Sequence, residues 1–282
     1  MTMTSHYLLG LSSSGFHRIH YTQRGSPDNK RTAVCVHGLT RSARDFDFLA
    51  DELAPDYRVL CPDVVGRGQS AWLNNNKDYG YPQYLADMTA LLARADTATV
   101  DWVGTSMGGL IGILLAAQPH SPIARLIIND VGPYIPKTAL DRIAAYVGKT
   151  PVFDTFEKME AYVRTISAPF GPLTDAQWQH LTLHNTRRLD NGTYTSVYDP
   201  GIAEAFKGQL EDVDLWPVWE AVSCPVLVLR GAESDVLSAD DAARMAARGS
   251  GSVEVIEFPG IGHAPALMDA DQIAVVRDWL SS

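Results

Sequence analysis

The chain has 282 residues, 46% hydrophobic and 20% charged, which is the composition of an ordinary globular protein and excludes a disordered chain. Its 23 lysines and arginines against 33 aspartates and glutamates leave a net charge of −10, which argues against a surface made to bind nucleic acid. The longest apolar run, Met107 to Ala117, falls short of the roughly 18 residues needed to cross a bilayer, and residues 1–14 carry no basic group of the kind that opens a secretion signal. No membrane association is expected.

Strand-like runs occur at 32–37, 58–62, 98–103, 124–129, 225–230 and 252–258. Most are continuously apolar rather than alternating, as expected for parallel strands covered on both faces. Cys35, Cys61 and Cys224 sit in or beside these runs, which suits small buried thiols in a reducing, cytoplasmic setting.

Helices are expected between the strands. Ser42-x-x-Asp45 precedes Phe46, Leu49, Ala50 and Leu53, and Pro82 opens a second helix with Leu85, Met88 and Leu92 as its stripe. Ser238 and Asp241 cap a third, and Ile273, Val276 and Leu280 mark the last. Such alternation predicts an α/β fold with a mostly parallel sheet and helices on both faces.

The interval from Asp130 to Pro225 is several times the dozen or so residues that a crossover needs. It holds three helical stripes: Leu140/Ile143/Ala144/Val147, Phe156/Met159/Val163/Ile166, and Trp178/Leu181 behind a Thr174-x-x-Gln177 capping box. Asn191-Gly192 then reads as a tight turn. The expected organisation is a core formed by 1–132 and 220–282, with a mainly helical cap at 133–219.

The run 98–103 leads into Gly104-Thr105-Ser106-Met107-Gly108 and then an apolar helix. A G-x-S-x-G turn between strand and helix lifts the serine hydroxyl clear of the sheet at a helix N-terminus, where developing negative charge is favoured. Side chains at 104 and 108 would collide with backbone in so sharp a turn. Ser106 is therefore the candidate nucleophile.

A serine needs a base, and the base an orienting acid. His263 lies just past the last strand and before the last helix, in Gly260-Ile261-Gly262-His263, and is the candidate base. His37 ends a strand with a structural look; His180 and His184 lie on a cap helix; His6, His17, His20 and His120 lack any such context. Three acids follow strands: Asp235, Asp130 and Glu233. Asp235 is preferred, because the chain order Ser, Asp, His with the acid after the penultimate strand suits this turn. Backbone N–H groups of Leu39, after the strand end His37-Gly38, and of Met107 are the candidate oxyanion hole.

His37-Gly38, the stretch from Asp63 to Ser70 (Asp-Val-Val-Gly-Arg-Gly-Gln-Ser), the serine turn, Asp235 and His263, taken in order, resemble the α/β-hydrolase superfamily over nearly the whole chain. The resemblance implies an eight-stranded, mostly parallel sheet with a helical cap, an acyl-enzyme intermediate and no cofactor. Relatives that open epoxides or remove halides carry aspartate where Ser106 stands, so acyl chemistry is expected.

The cap aromatics Tyr134, Phe170, Trp178, Tyr194, Tyr198, Trp216 and Trp219 are mostly core by spacing, with Tyr134, Trp178 and Trp216 the candidate pocket residues. Arg187-Arg188 reads as solvated surface. The expected activity is hydrolysis of small to medium, largely apolar carboxylic esters. A carbon–carbon bond hydrolase, a lactonase or a thioesterase would use the same groups, the first with a carboxylate-binding arginine in its pocket. A slow-turnover ligand receptor on the same fold is the alternative of a different class. No H-E-x-x-H or closely spaced Cys/His set suggests a metal, and the Gly66-Arg67-Gly68 loop lacks the third glycine of a dinucleotide site.

Overall fold

The computed structural model describes residues 2–208 and 210–282. Strand β1 (Thr4–Ser12) turns back into β2 (Gly15–Arg24), followed by β3 (Arg31–Val36), helix α1 (Asp47–Leu53), β4 (Tyr57–Pro62), α2 (Tyr81–Ala95), β5 (Val100–Thr105), α3 (Met107–Ala116) and β6 (Ile123–Asn129). After the long interval come β11 (Val226–Gly231), α8 (Ala239–Arg248), β12 (Val253–Phe258) and α9 (Ala270–Ser281). The intervening elements are β7 (Tyr134–Ile135), α4 (Lys137–Tyr146), α5 (Phe156–Ile166), α6 (Asp175–His184), β8 (Thr186–Arg188), β9 (Tyr194–Ser196), β10 (Val213–Asp214) and the single turn α7 (Trp216–Trp219).

Eight strands form one sheet in the order β1-β2-β4-β3-β5-β6-β11-β12. Pairings from β4 to β12 are parallel, while β2 runs antiparallel to both β1 and β4. Each of the six strand-like runs expected from the sequence overlaps a strand of this sheet, the run 98–103 starting two residues ahead of β5. The β1–β2 hairpin is absent from the sequence expectations: β1 holds only the short apolar stretch Tyr7–Leu11 and lies largely exposed at the sheet edge.

Each central strand feeds two cores by alternation. Val34, Val36, Leu126, Ile128, Val226 and Val228 pack with Met88 of α2, Ile111 of α3 and Met245 of α8. Their neighbours Ala33, Cys35, Ile127, Leu227 and Leu229 pack on the opposite face with Leu49 of α1 and Val276 and Leu280 of α9. Burial on both faces is why these strands read as unbroken apolar runs.

The caps follow the sequence in part. Ser238 accepts from the Asp241 N–H at 3.0 Å, and Thr174 and Gln177 form the reciprocal box at the start of α6. Ser42 differs: its hydroxyl donates to the His184 carbonyl, and a short 3₁₀ turn over Ala43–Phe46 precedes α1. Asn191-Gly192 lies in the turn between β8 and β9, with Gly192 at φ +87°.

Candidate active site

Ser106 sits between β5 and α3 with φ +52°, a region that a residue with a Cβ rarely adopts. Two glycines let the turn close. A Cβ on Gly104 would lie 2.2 Å from the Gly108 carbonyl oxygen, and one on Gly108 would lie 2.0 Å from the carbonyl oxygen of Val36. The Ser106 N–H donates to the Asn129 carbonyl at 2.9 Å, tying the turn to the end of β6.

His263 stands on the loop between β12 and α9, and its Nε2 lies 2.9 Å from the Ser106 hydroxyl oxygen. Its other ring nitrogen, Nδ1, lies 2.7 Å from Oδ2 of Asp130, a fully buried carboxylate just past β6. The preferred acid, Asp235, is not in this chain of contacts. It is half-exposed and forms a two-pronged pair with Arg142 of α4, at 2.5 Å from Nε and 3.0 Å from Nη2. Glu233 is also exposed.

The loop after β11 explains the outcome. The Gly231 N–H donates to Asp130 Oδ1 at 2.8 Å, and the Ser234 hydroxyl donates to Oδ2 at 2.6 Å. That loop supplies hydrogen bonds to the Asp130 carboxylate instead of supplying the carboxylate itself.

Opposite the histidine, His37 is fully buried; its Nδ1 donates to the Gly38 carbonyl at 2.7 Å and its Nε2 accepts from the Val64 N–H at 3.0 Å. Burial lowers its pKa, in keeping with a neutral ring that makes one bond of each kind. Arg67, in the Gly66-Arg67-Gly68 loop, carries no signal of a role in the sequence, yet its contacts give it one. Its buried guanidinium donates to the Leu39 carbonyl at 2.8 Å, the Val65 carbonyl at 2.7 Å and the Tyr84 hydroxyl at 3.0 Å, and lies 3.7 Å from Met107 Sδ. It therefore spans the two residues expected to carry the oxyanion donors. Met107 opens α3, where the first N–H groups have no acceptor within the helix.

Asp63 anchors the same region, accepting from the Ala43 and Gln69 N–H groups at 2.7 and 2.9 Å and from His20 Nδ1 at 2.7 Å.

A cavity of about 250 Å³ opens over Ser106 and His263. Its wall is formed by Leu39, Ile143, Tyr146, Ile166 and Phe170, together with Arg41 and Arg142. The three aromatics expected to line it lie elsewhere. Tyr134 donates to Asp212 at 2.7 Å beside the short β7–β10 pair. Trp178 packs with Leu181 and Met268, and Trp216 is buried in the larger core with Arg244 and Arg248 over its ring. Periodicity marked these rings as apolar, but it carries no information on which way they face. Ile143 belonged to a stripe seen in the sequence; Arg142 and Tyr146 flank it on α4 and carried no signal of their own.

Among the described residues, Asp47, His180 and His184 bring potential metal ligands within 4.8 Å of one another. Two arginines already engage Asp47, Arg24 at 2.7 Å and Arg44 at 2.5 Å, and His180 Nε2 lies 2.9 Å from the Arg44 carbonyl. Such positive neighbours oppose a cation there. No described helix is long and apolar enough to cross a membrane.

Comparison with known proteins agrees with this architecture. The chain is 46% identical over 280 residues to a 3-hydroxybutyrate-oligomer hydrolase of Cupriavidus necator, covering 96% of this chain and 95% of that one. It is 26% identical over 234 residues to an esterase of Mycobacterium tuberculosis, covering 80% and 75%. The crystal structure of an alpha/beta hydrolase from Novosphingobium aromaticivorans superposes with a TM-score of 0.88 at 38% identity, covering 99% of this chain and 98% of that one. The model of the alpha/beta hydrolase family matches residues 33–276, and the chain belongs to that family.

Proposed function

We propose that the chain hydrolyses carboxylic esters through an acyl-enzyme on Ser106, with short oligomers of 3-hydroxybutyrate as its substrate class. The continuous path from the Ser106 hydroxyl to His263 at 2.9 Å and from His263 to Asp130 at 2.7 Å carries the reading. Asp130 holds the proton on Nδ1, which leaves Nε2 free to accept the serine proton as Oγ attacks the ester carbonyl. The N–H groups of Leu39 and Met107 receive the oxyanion. As the tetrahedral intermediate collapses, His263 returns the proton to the departing alcohol oxygen. A water then repeats the sequence against the acyl-serine and releases the acid.

The substrate class rests on the full-length likeness to the Cupriavidus necator hydrolase and on a small, largely apolar cavity. For a 3-hydroxybutyrate oligomer the departing alcohol is the hydroxyl of the next unit, so each cut leaves a carboxylic acid at one new end and a hydroxyl at the other, and both fragments are hydroxy acids. Three free cysteines, two of them fully buried, support a reducing compartment, the cytoplasm. The test is release of 3-hydroxybutyrate from its dimer and trimer beside Ser106→Ala. Multiple turnover in the wild type, abolished in the variant, is expected; an adduct without release contradicts hydrolysis.

A further inference from the structure

Resting on the ester-hydrolase reading, we propose that Arg142 anchors the free carboxylate of the substrate and that Asp235 occupies this anchor until substrate displaces it. Beyond Ser106 and His263, the cavity is lined by mostly apolar side chains, a few hydroxyls such as Thr40 and Ser167, and two arginines as its cationic groups, and among the described residues lining it none is an aspartate or glutamate. A wall of that kind suits a substrate that is apolar over most of its length and anionic at one end.

The two arginines differ in availability. Arg41 is held through both prongs by Asp45, at 2.7 and 3.1 Å, in a largely buried pair that Asn185 reinforces at 2.9 Å. Its charge is spent inside the protein. Arg142 is held by Asp235 in the same two-pronged manner, but the side chains are 44% and 51% exposed. Exposed pairs of this sort contribute little net stability, so exchanging Asp235 for another carboxylate costs little. The exchange preserves the geometry, since a guanidinium fork receives any carboxylate through two parallel bonds. Asp235, expected from the sequence to orient the histidine, becomes an internal competitor for the substrate's anionic end.

The experiment compares the 3-hydroxybutyrate dimer as its free acid with the same dimer capped as a primary amide, which removes the charge and leaves a single ester. Released 3-hydroxybutyrate is measured by chromatography, counted as two equivalents per cut of the acid and one per cut of the amide. The wild type is expected to favour the acid, and Arg142→Gln to lower the acid-to-amide ratio of kcat/KM at least about tenfold, mainly through KM. Arg142→Lys is expected to restore part of that ratio, and Asp235→Asn to lower KM for the acid. A ratio unchanged in Arg142→Gln, including an equal fall for both substrates as a merely structural arginine would give, overturns the anchor. A wild type that hydrolyses p-nitrophenyl butyrate but cleaves neither dimer overturns the 3-hydroxybutyrate substrate class and the anchor with it, whereas one that cleaves none of these esters overturns the ester reading itself.

Discussion

Ser234 donates its hydroxyl to Asp130 at 2.6 Å, so the residue immediately before Asp235 serves the carboxylate that faces His263. The same hydroxyl accepts the N–H groups of Val236 and Leu237 at 3.2 Å each, which fixes the loop that carries it. The loops after β6 and β11 therefore meet as a carboxylate and the donors that hold it.

The first consequence concerns the two aspartates. Asp130→Asn removes the acceptor that fixes the His263 tautomer, and kcat on a p-nitrophenyl ester is expected to fall about a thousandfold or more. The fall for Asp235→Asn is expected to be at least a hundredfold smaller. Steady-state kinetics of the two variants under one set of conditions decides between them, and the reverse order returns the orienting role to Asp235.

Much of this was legible in the sequence, for identifiable reasons. The buried parallel strands announce themselves because both faces are apolar, and the serine turn because only glycine fits beside the Val36 and Gly108 carbonyls. The choice of acid was not legible. β6 and β11 are neighbouring parallel strands, so Asp130 and Asp235 both lie just beyond the same sheet edge. Chain order alone does not say which one turns inward. The cavity wall was hidden for a related reason: α4 presents Arg142, Ile143 and Tyr146 to the site, whereas the conspicuous Trp178 and Trp216 serve packing.

Arg67 offers a second test. Replacing it with methionine leaves the Leu39 and Val65 carbonyls and the Tyr84 hydroxyl without their donor, at about 1–3 kcal/mol for each buried group. Urea denaturation is expected to show a loss of about 3 kcal/mol or more. Because the Leu39 loop is freed as well, kcat is expected to drop about tenfold or more with KM nearly constant. A fully stable, fully active variant would contradict the positioning role.

The glycines of the serine turn are expected to be intolerant in proportion to their contacts. Gly108→Ala forces a Cβ to 2.0 Å from the Val36 oxygen and is expected to destabilise the fold by at least about 3 kcal/mol. Gly260, at φ +71° in open space, meets only left-handed strain, so Gly260→Ala is expected to cost about 1–2 kcal/mol. Midpoints of chemical denaturation rank the two, and an equal cost would remove the steric explanation.

His184 gives stability a pH dependence. Burial first, then the charges of Arg44 and His180, push its pKa from 6.5 to about 4, against a smaller opposing pull from Asp47 and Asp45. The folded value lies below the unfolded one, so the unfolded chain binds the extra proton between them. The contribution is complete above about pH 6.5 and is lost as pH falls toward 4. Because the ring is only half-buried, solvent screens the effect, and the slope is expected to stay below about 1.4 kcal/mol per pH unit. Denaturation of wild type and His184→Gln across this window is expected to show a shallower acid limb in the variant; parallel curves would assign the limb to other groups.

The most direct test of the account is the covalent intermediate. Wild-type protein is mixed with p-nitrophenyl butyrate, quenched in acid during turnover and digested for peptide mass analysis. The account predicts one butyryl group on the peptide containing Ser106, no adduct in Ser106→Ala, and turnover that disappears with the adduct. Turnover that persists in Ser106→Ala, or a butyryl group carried by another residue, would contradict it.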